Sequence, residues 1–143
     1  MEEILKAGRT VRPAVCGLAF AALLAAATPG SGHAQAVSGD AARGAALFKQ
    51  RCQSCHAIEA GGRNGVGPGL FGAYGRKAGL TPGYVYSSAL KNSKIVWNDA
   101  TLDAWLVKPA AVAKGTKMFM APISKPQARK DLIAYLRKQR SAR

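Results

Sequence analysis

The stretch Cys52-Gln53-Ser54-Cys55-His56 decides how the rest of the chain is read. Two thiols three positions apart, with a histidine directly after the second, form the spacing that attaches c-type haem. Each thiol adds to a haem vinyl group as a thioether, and the histidine lies under the iron. Three other uses of the motif compete. A structural zinc site needs four protein ligands, usually Cys and His, and neither residue occurs after His56. A thioredoxin-like C-x-x-C needs a βαβ setting, and the chain shows almost no strand pattern. A disulfide between Cys52 and Cys55 suits an oxidising compartment but leaves His56 without a role. The spacing therefore implies one covalent haem c on Cys52 and Cys55, with His56 as proximal iron ligand.

A second axial ligand has to come from further along. Past residue 36 there is no other histidine, and the methionines are Met118 and Met120. Thioether sulfur is a soft ligand, and a Met/His pair on haem iron raises the reduction potential. A lone methionine is more often core filler, so spacing alone leaves both open.

Working outward, Asp40 is a plausible N-cap, and the alanines of 41–46 favour a helix that runs into Cys52. Gly44 and Phe48 stand four apart and share a face of that helix. Gly44 weakens it, and close approach of another helix is the motive. Residues 60–83 are dense in Gly and Pro and read as loop. A loop this long in a small domain is ordered when it wraps something. Haem is the expected object, lined by Leu70, Phe71, Tyr74, Tyr84 and Tyr86. Residues 87–92 suit a short helix. Asn98 or Asp99 caps the next, with Leu102, Trp105 and Leu106 at helical spacing. Pro109 is expected to stop it after Lys108, leaving 110–122 as the loop that holds Met118. Ser124-Lys125-Pro126-Gln127 has the form of a capping box with Pro in the first turn. The last helix should run to about Gln139, striped by Leu132, Tyr135 and Leu136. The reading is all-α with one domain and no repeats.

The first third differs from the rest. Lys6, Arg9 and Arg12 precede an apolar run over 14–27, and small residues lead to Ala34-Gln35-Ala36. That order is the one of a secretory signal peptide. The run is shorter than the ~20 residues a bilayer requires, which favours a cleaved leader over a span. The expected division is 1–36 as leader, cut after Ala34 or Ala36, and 37–143 as the working domain. Cys16 and His33 fall in the leader and are read as having no ligand role. The remaining 107 residues hold 18 Lys and Arg against 5 Asp and Glu, a formal charge of +13. Such a balance calls for an acidic partner. Export and the lack of an aromatic-basic RNA motif exclude nucleic acid.

Over residues 38–139 the chain resembles the class I cytochromes c, of the mitochondrial and similar bacterial monohaem type. The resemblance is carried by Gly39-Asp40, Arg43-Gly44 and Phe48; the haem motif; Gly67-Pro68 and Leu70; Gly75-Arg76-Lys77 and Gly79; Pro82-Gly83-Tyr84, Tyr86 and Trp97; Leu102, Leu106 and Pro109; Gly115-Thr116-Lys117-Met118; and Lys125-Pro126 with 131–136. It implies the small cytochrome c fold, with N- and C-terminal helices crossing and loops wrapping one haem. It implies Met118, rather than Met120, as axial ligand, and the Pro68 carbonyl as acceptor of the proximal histidine N–H. It implies that Arg76, Tyr86 and Trp97 satisfy a buried haem propionate, and that Gly44 and Phe48 meet the last helix at Leu132 and Tyr135. Leu90 departs from the Asn often found at its place. Trp105 departs from a Tyr that hydrogen-bonds the methionine sulfur. Pro122 replaces a usual Gly, and Ala110-Ala111 a lysine pair, which redistributes the basic face.

The expected function is a soluble monohaem carrier, not an enzyme, that shuttles single electrons between redox proteins of an electron-transport chain. The expected partners are acidic donor and acceptor proteins docking near Arg51, Lys114, Lys117 and Lys125. A monomer in the bacterial periplasm, with no stable membrane insertion after cleavage, completes the reading. The alternatives are a five-coordinate haem enzyme or gas- or peroxide-binding protein, and a haem subunit anchored by an uncleaved N-terminal segment.

Overall fold

The computed structural model describes residues 38–141. The expected leader, with Cys16, His33 and both cleavage positions, lies outside the described residues. Those described form five helices: α1 (Ala41–Arg51), α2 (Ser88–Lys91), α3 (Asp99–Val107), α4 (Pro109–Val112) and α5 (Pro126–Ser141). Among them there is no strand, and one isolated antiparallel bridge pairs Lys77 with Val96. None of these helices is long and apolar enough to cross a membrane.

The caps at Asp40 and Asn98 form where the sequence puts them, while α5 begins at Pro126, one residue later than a Ser124 cap requires. The Asp40 carboxylate accepts from the Ala42 and Arg43 N–H groups at 2.7 and 3.1 Å, satisfying donors that α1 leaves free. Ser87 caps α2. Asn98 and Thr101 cap α3 reciprocally, at 3.0 and 2.9 Å. Pro109 does end α3, but it also opens α4, so part of the expected 110–122 loop is helical. Proline suits a first helical position, because its missing N–H has no partner there and its φ is already helical.

The crossing of α1 and α5 organises the domain. A Cβ at Gly44 would stand 2.0 Å from the Asp131 carbonyl oxygen and 2.8 Å from Tyr135 Cβ. A glycine here lets the backbones touch. One turn on, the Phe48 and Tyr135 rings pack with centroids 5.6 Å apart. The Asp131 carboxylate locks the crossing. It accepts from the Asp40 N–H at 2.7 Å, Arg43 Nε at 2.8 Å and Gln127 Nε2 at 2.8 Å. The Arg43 bond, helped by the Asp40 and Gln127 donors, holds this carboxyl well below its usual range although burial opposes it.

Two apolar clusters flank the site. The larger joins Phe48, Ile58, Leu102, Leu106, Ile123 and Leu132 with the α5 residues Ile133 and Leu136. The smaller joins Ala78, Leu90, Trp105 and Ala113. Buried Arg129 ties α5 to α3 through Asp103 at 2.7 Å and takes the Ile123 and Ser124 carbonyls at 2.9 Å each.

Candidate functional site

The end of α1 delivers the first thiol. Cys52 is its C-cap, with its N–H on the Phe48 carbonyl. The Cys55 and His56 N–H groups then return to the Cys52 carbonyl at 3.0 and 2.9 Å. This turn sets both sulfurs and the imidazole on one side of the chain, lining one cavity. Both cysteines are free thiols, not a disulfide. Burial pushes the Cys52 thiol up to about 11, with Arg51 beside it pulling the other way.

His56 is held from two sides. Its Nδ1–H donates to the Pro68 carbonyl at 2.8 Å; a carbonyl only accepts, so the proton sits on Nδ1 and the Nε2 lone pair is free. Burial lowers the His56 pKa, and the Pro68 bond opposes this in part. The ring is therefore neutral at pH 7, as a metal-ligating imidazole must be. Gly67 covers the ring: a Cβ there would stand 2.2 Å from Cε1.

The cavity measures about 380 Å³, within the range of small-molecule and cofactor sites. Its walls include Phe48, Leu70, Leu90, Trp105, Leu132 and Leu136. Met118 and Met120 both reach it. They differ in their surroundings: Met120 packs on the larger cluster, Met118 on the smaller one. The Met118 sulfur accepts a hydrogen bond from Trp105 Nε1 at 3.1 Å, and the Met118 N–H donates to Thr116 Oγ1 at 3.2 Å.

Arg76, Tyr86 and Trp97 all line the cavity. The Trp97 N–H meets the Arg76 carbonyl at 2.9 Å, Arg76 Nη2 reaches the Phe71 carbonyl at 2.9 Å, and Tyr86 stacks edge-on against Tyr84 at 4.8 Å. Of the five residues expected to line the loop side, Leu70, Tyr84 and Tyr86 do so, and Phe71 and Tyr74 do not. Tyr74 turns outward, donating to Asp99 Oδ1 at 2.7 Å under the Arg137 guanidinium. In an irregular loop no periodicity tells which aromatic faces in.

Of the four basic residues singled out for docking, Arg51 and Lys117 border the cavity, while Lys114 and Lys125 are exposed away from its lining. Arg51 also ties α1 to the methionine loop through the Ala121 carbonyl at 3.0 Å. The sequence reading missed the apolar rim: Val66, Leu80 and Phe119 border the cavity and are 79, 59 and 99% exposed; Val66 and Leu80 stand singly among Gly and polar residues, and Phe119 lies in the run Met118-Phe119-Met120, where nothing in the pattern says which side chain faces out.

The donor set fits a covalent haem. Two thiols at the attachment spacing, a neutral imidazole with its second nitrogen already engaged, and thioether sulfur all face one apolar cavity. Among the described residues no group of three or more His, Cys, Asp or Glu side chains is placed to hold a metal ion between them, and a closed zinc site would need four protein ligands.

The comparisons agree. The cytochrome c family model matches residues 41–140. A cytochrome c of Theileria annulata is 53% identical over 103 residues, covering 72% of this chain and 89% of that protein. One from Arabidopsis thaliana is 45% identical over 103 residues, covering 72% and 92%. Among solved structures, cytochrome cH from Methylobacterium extorquens superposes with a TM-score of 0.64 at 46% identity, covering 70% of this chain and 99% of that one.

Proposed function

Since the chain belongs to the cytochrome c family, and is thus a monohaem electron carrier rather than an enzyme, we propose that His56 and Met118 are its axial iron ligands and that it shuttles electrons between acidic redox proteins. The haem c supplies the one-electron couple, and the chain does everything else. Cys52 and Cys55 fix the macrocycle as thioethers. Pro68 orients His56 and strengthens it as a donor through the Nδ1–H bond. Arg76, Tyr86 and Trp97 offer charge and N–H or O–H donors to a propionate.

The observation that carries this reading is the His56–Pro68 bond of 2.8 Å, which leaves Nε2 as a lone-pair donor in the cavity that Met118 also lines. With His56 and Met118 both holding the iron, an exogenous substrate would find no open position on it. The docking face is the exposed ring of Val66, Leu80 and Phe119 with Arg51 and Lys117: an apolar centre with a cationic border, suited to brief encounters with an acidic partner. The leader-like residues 1–36 support export to a periplasm, where a monomer would meet soluble or membrane-bound partners.

The test compares Met118→Ala with Met120→Ala in the haem-loaded protein. Met118→Ala should abolish the weak sulfur-to-iron band at the red end of the spectrum, lower the reduction potential and admit exogenous ligands. Loss of the band in Met120→Ala alone would reverse the assignment.

A further inference from the structure

The Pro68–Gly69 peptide group is hydrogen-bonded at both of its edges. Its carbonyl accepts from His56 Nδ1–H at 2.8 Å. Its N–H, on Gly69, donates to Asn64 Oδ1 at 2.9 Å. The Asn64 amide is engaged at its other end too, where Nδ2 donates to the Pro82 carbonyl at 2.9 Å. These two partners fix which way the amide faces, because a backbone N–H only donates and a carbonyl only accepts. The result is one directed chain from the imidazole, through a peptide and a side-chain amide, to Pro82.

Every N–H in the chain points the same way, away from His56, so the dipoles add. A peptide unit is a conjugated plane, and an acceptor on its N–H makes its carbonyl oxygen more negative. Hydrogen bonds in series strengthen one another in this way, by about 10–30% per bond. Asn64 Oδ1 is that acceptor for the Pro68–Gly69 peptide, and the bond from His56 Nδ1–H is the next in the series. A stronger pull on the Nδ1 proton makes the ring more basic at Nε2, the nitrogen left free for iron. Firmer donation favours the oxidised iron over the reduced one, since hydrogen bonding around an axial ligand is a lever on haem potential.

We infer that Asn64 is a positioning residue for the proximal ligand: by accepting from the Gly69 N–H it polarises the Pro68–Gly69 peptide and strengthens His56 as an electron donor to iron. The inference rests on His56 as axial ligand. The bond to Pro82 serves the same end, because it holds the amide with Oδ1 towards Gly69. Asn64 touches neither His56 nor the iron, and acts only through the peptide between them. An amide also carries no charge that pH could change, so the polarisation is constant wherever the domain is folded.

The experiment uses the haem-loaded protein and its variants Asn64→Leu and Asn64→Asp. Both lose the bond to Pro82. Asn64→Leu also removes the acceptor on the Gly69 N–H, whereas Asn64→Asp puts a carboxylate there, a stronger acceptor. In the reduced protein the His56 Nδ1–H NMR resonance should therefore move upfield in Asn64→Leu and downfield in Asn64→Asp. The midpoint potential of Asn64→Leu should rise. Loosened loops that merely admit water would lower it, because water favours the more highly charged oxidised iron. Resonances that move the same way in both variants, or an Asn64→Leu potential that falls or stays at the wild-type value, overturn the inference. In the wild-type protein the Gly69 amide proton should exchange slowly and show scalar coupling to the Asn64 side-chain carbonyl carbon. Rapid exchange without coupling also overturns it, and this measurement stands even where the variants fail to fold. If instead the His56 ring protons lack the upfield displacement that a haem face imposes, the ligand assignment itself has failed, an outcome distinct from the others.

Discussion

Gly67 lies flat against the His56 imidazole, so close that a Cβ would meet Cε1 at 2.2 Å, Nδ1 at 2.6 Å and Nε2 at 2.8 Å. The ring cannot swing aside, because Nδ1 is tied to Pro68 at 2.8 Å. Gly67→Ala should therefore break that bond or push the loop away. A cost of about 1–3 kcal/mol is expected from overpacking a buried site. Denaturant unfolding of the haem-loaded variant reads the cost, and its potential should shift as His56 loses its orienting acceptor. Unchanged stability and potential would mean that the loop yields freely.

The α1–α5 crossing makes a second prediction. On helix propensity alone Gly44→Ala stabilises α1 by about 1 kcal/mol. The backbone contact at 2.0 Å from the Asp131 carbonyl reverses the sign, because the two helices must separate. A net loss of roughly 2 kcal/mol or more is expected, measured as a lower denaturation midpoint. A midpoint equal to or above wild type would show that the crossing can slide.

Acid should loosen the same crossing. The Asp131 carboxyl is depressed chiefly by Arg43, so on acidification the unfolded chain binds this proton before the folded one. Stability then rises with pH between the folded and unfolded values. The contribution is complete above about pH 4, the ordinary carboxylate range, and fades as pH falls below it. Asp131→Asn removes the ionisation and should flatten the stability–pH profile over that window, besides costing about 1.5–3 kcal/mol at pH 7 for the lost charge-assisted bonds. A profile as steep as wild type would assign the acid sensitivity to other carboxylates.

Docking should respond to salt. At ~0.15 M the screening length is about 8 Å, and steering acts on association rate more than on the bound contact. Lys117, at the cavity border, should matter more than Lys125, which lies away from it. Lys117→Glu should slow second-order transfer with the partner by about threefold to tenfold at low ionic strength, a fraction of the 10–10³ that whole-surface steering provides. Stopped-flow rates across an ionic-strength series check this. A rate indifferent to salt would mean that Phe119 and its apolar neighbours drive docking alone.

How much of this was legible in the chain depended on whether the governing interaction was local. The caps at Asp40 and Asn98, the attachment turn and the α5 stripe are each set within a few residues of sequence, and they form as the sequence implies. Gly44 could be read as a contact because nothing within α1 explains a glycine there. Pro109 carries two meanings, an end and a beginning, and sequence gave only the first. The outward turn of Tyr74 depends on Asp99 and Arg137, 25 and 63 residues away. The Trp105–Met118 bond joins a helix to a loop 13 residues on. The residue types announce a donor and an acceptor, but the distance between them is a property of the folded wall.

Asp40 and Asp131, bonded to each other across 91 positions of sequence, make the domain a closed ring whose clasp is the α1–α5 crossing. Closing a ring of that contour costs about 4 kcal/mol in chain entropy, yet lengthening its interior adds little, since the cost grows only with the logarithm of length. The arcs between, which carry Pro68 and Met118, are therefore free to vary and to open while the clasp stays shut. Opening events should rank accordingly: loop amides exchange first, and those of α1 and α5 only when the whole molecule comes apart.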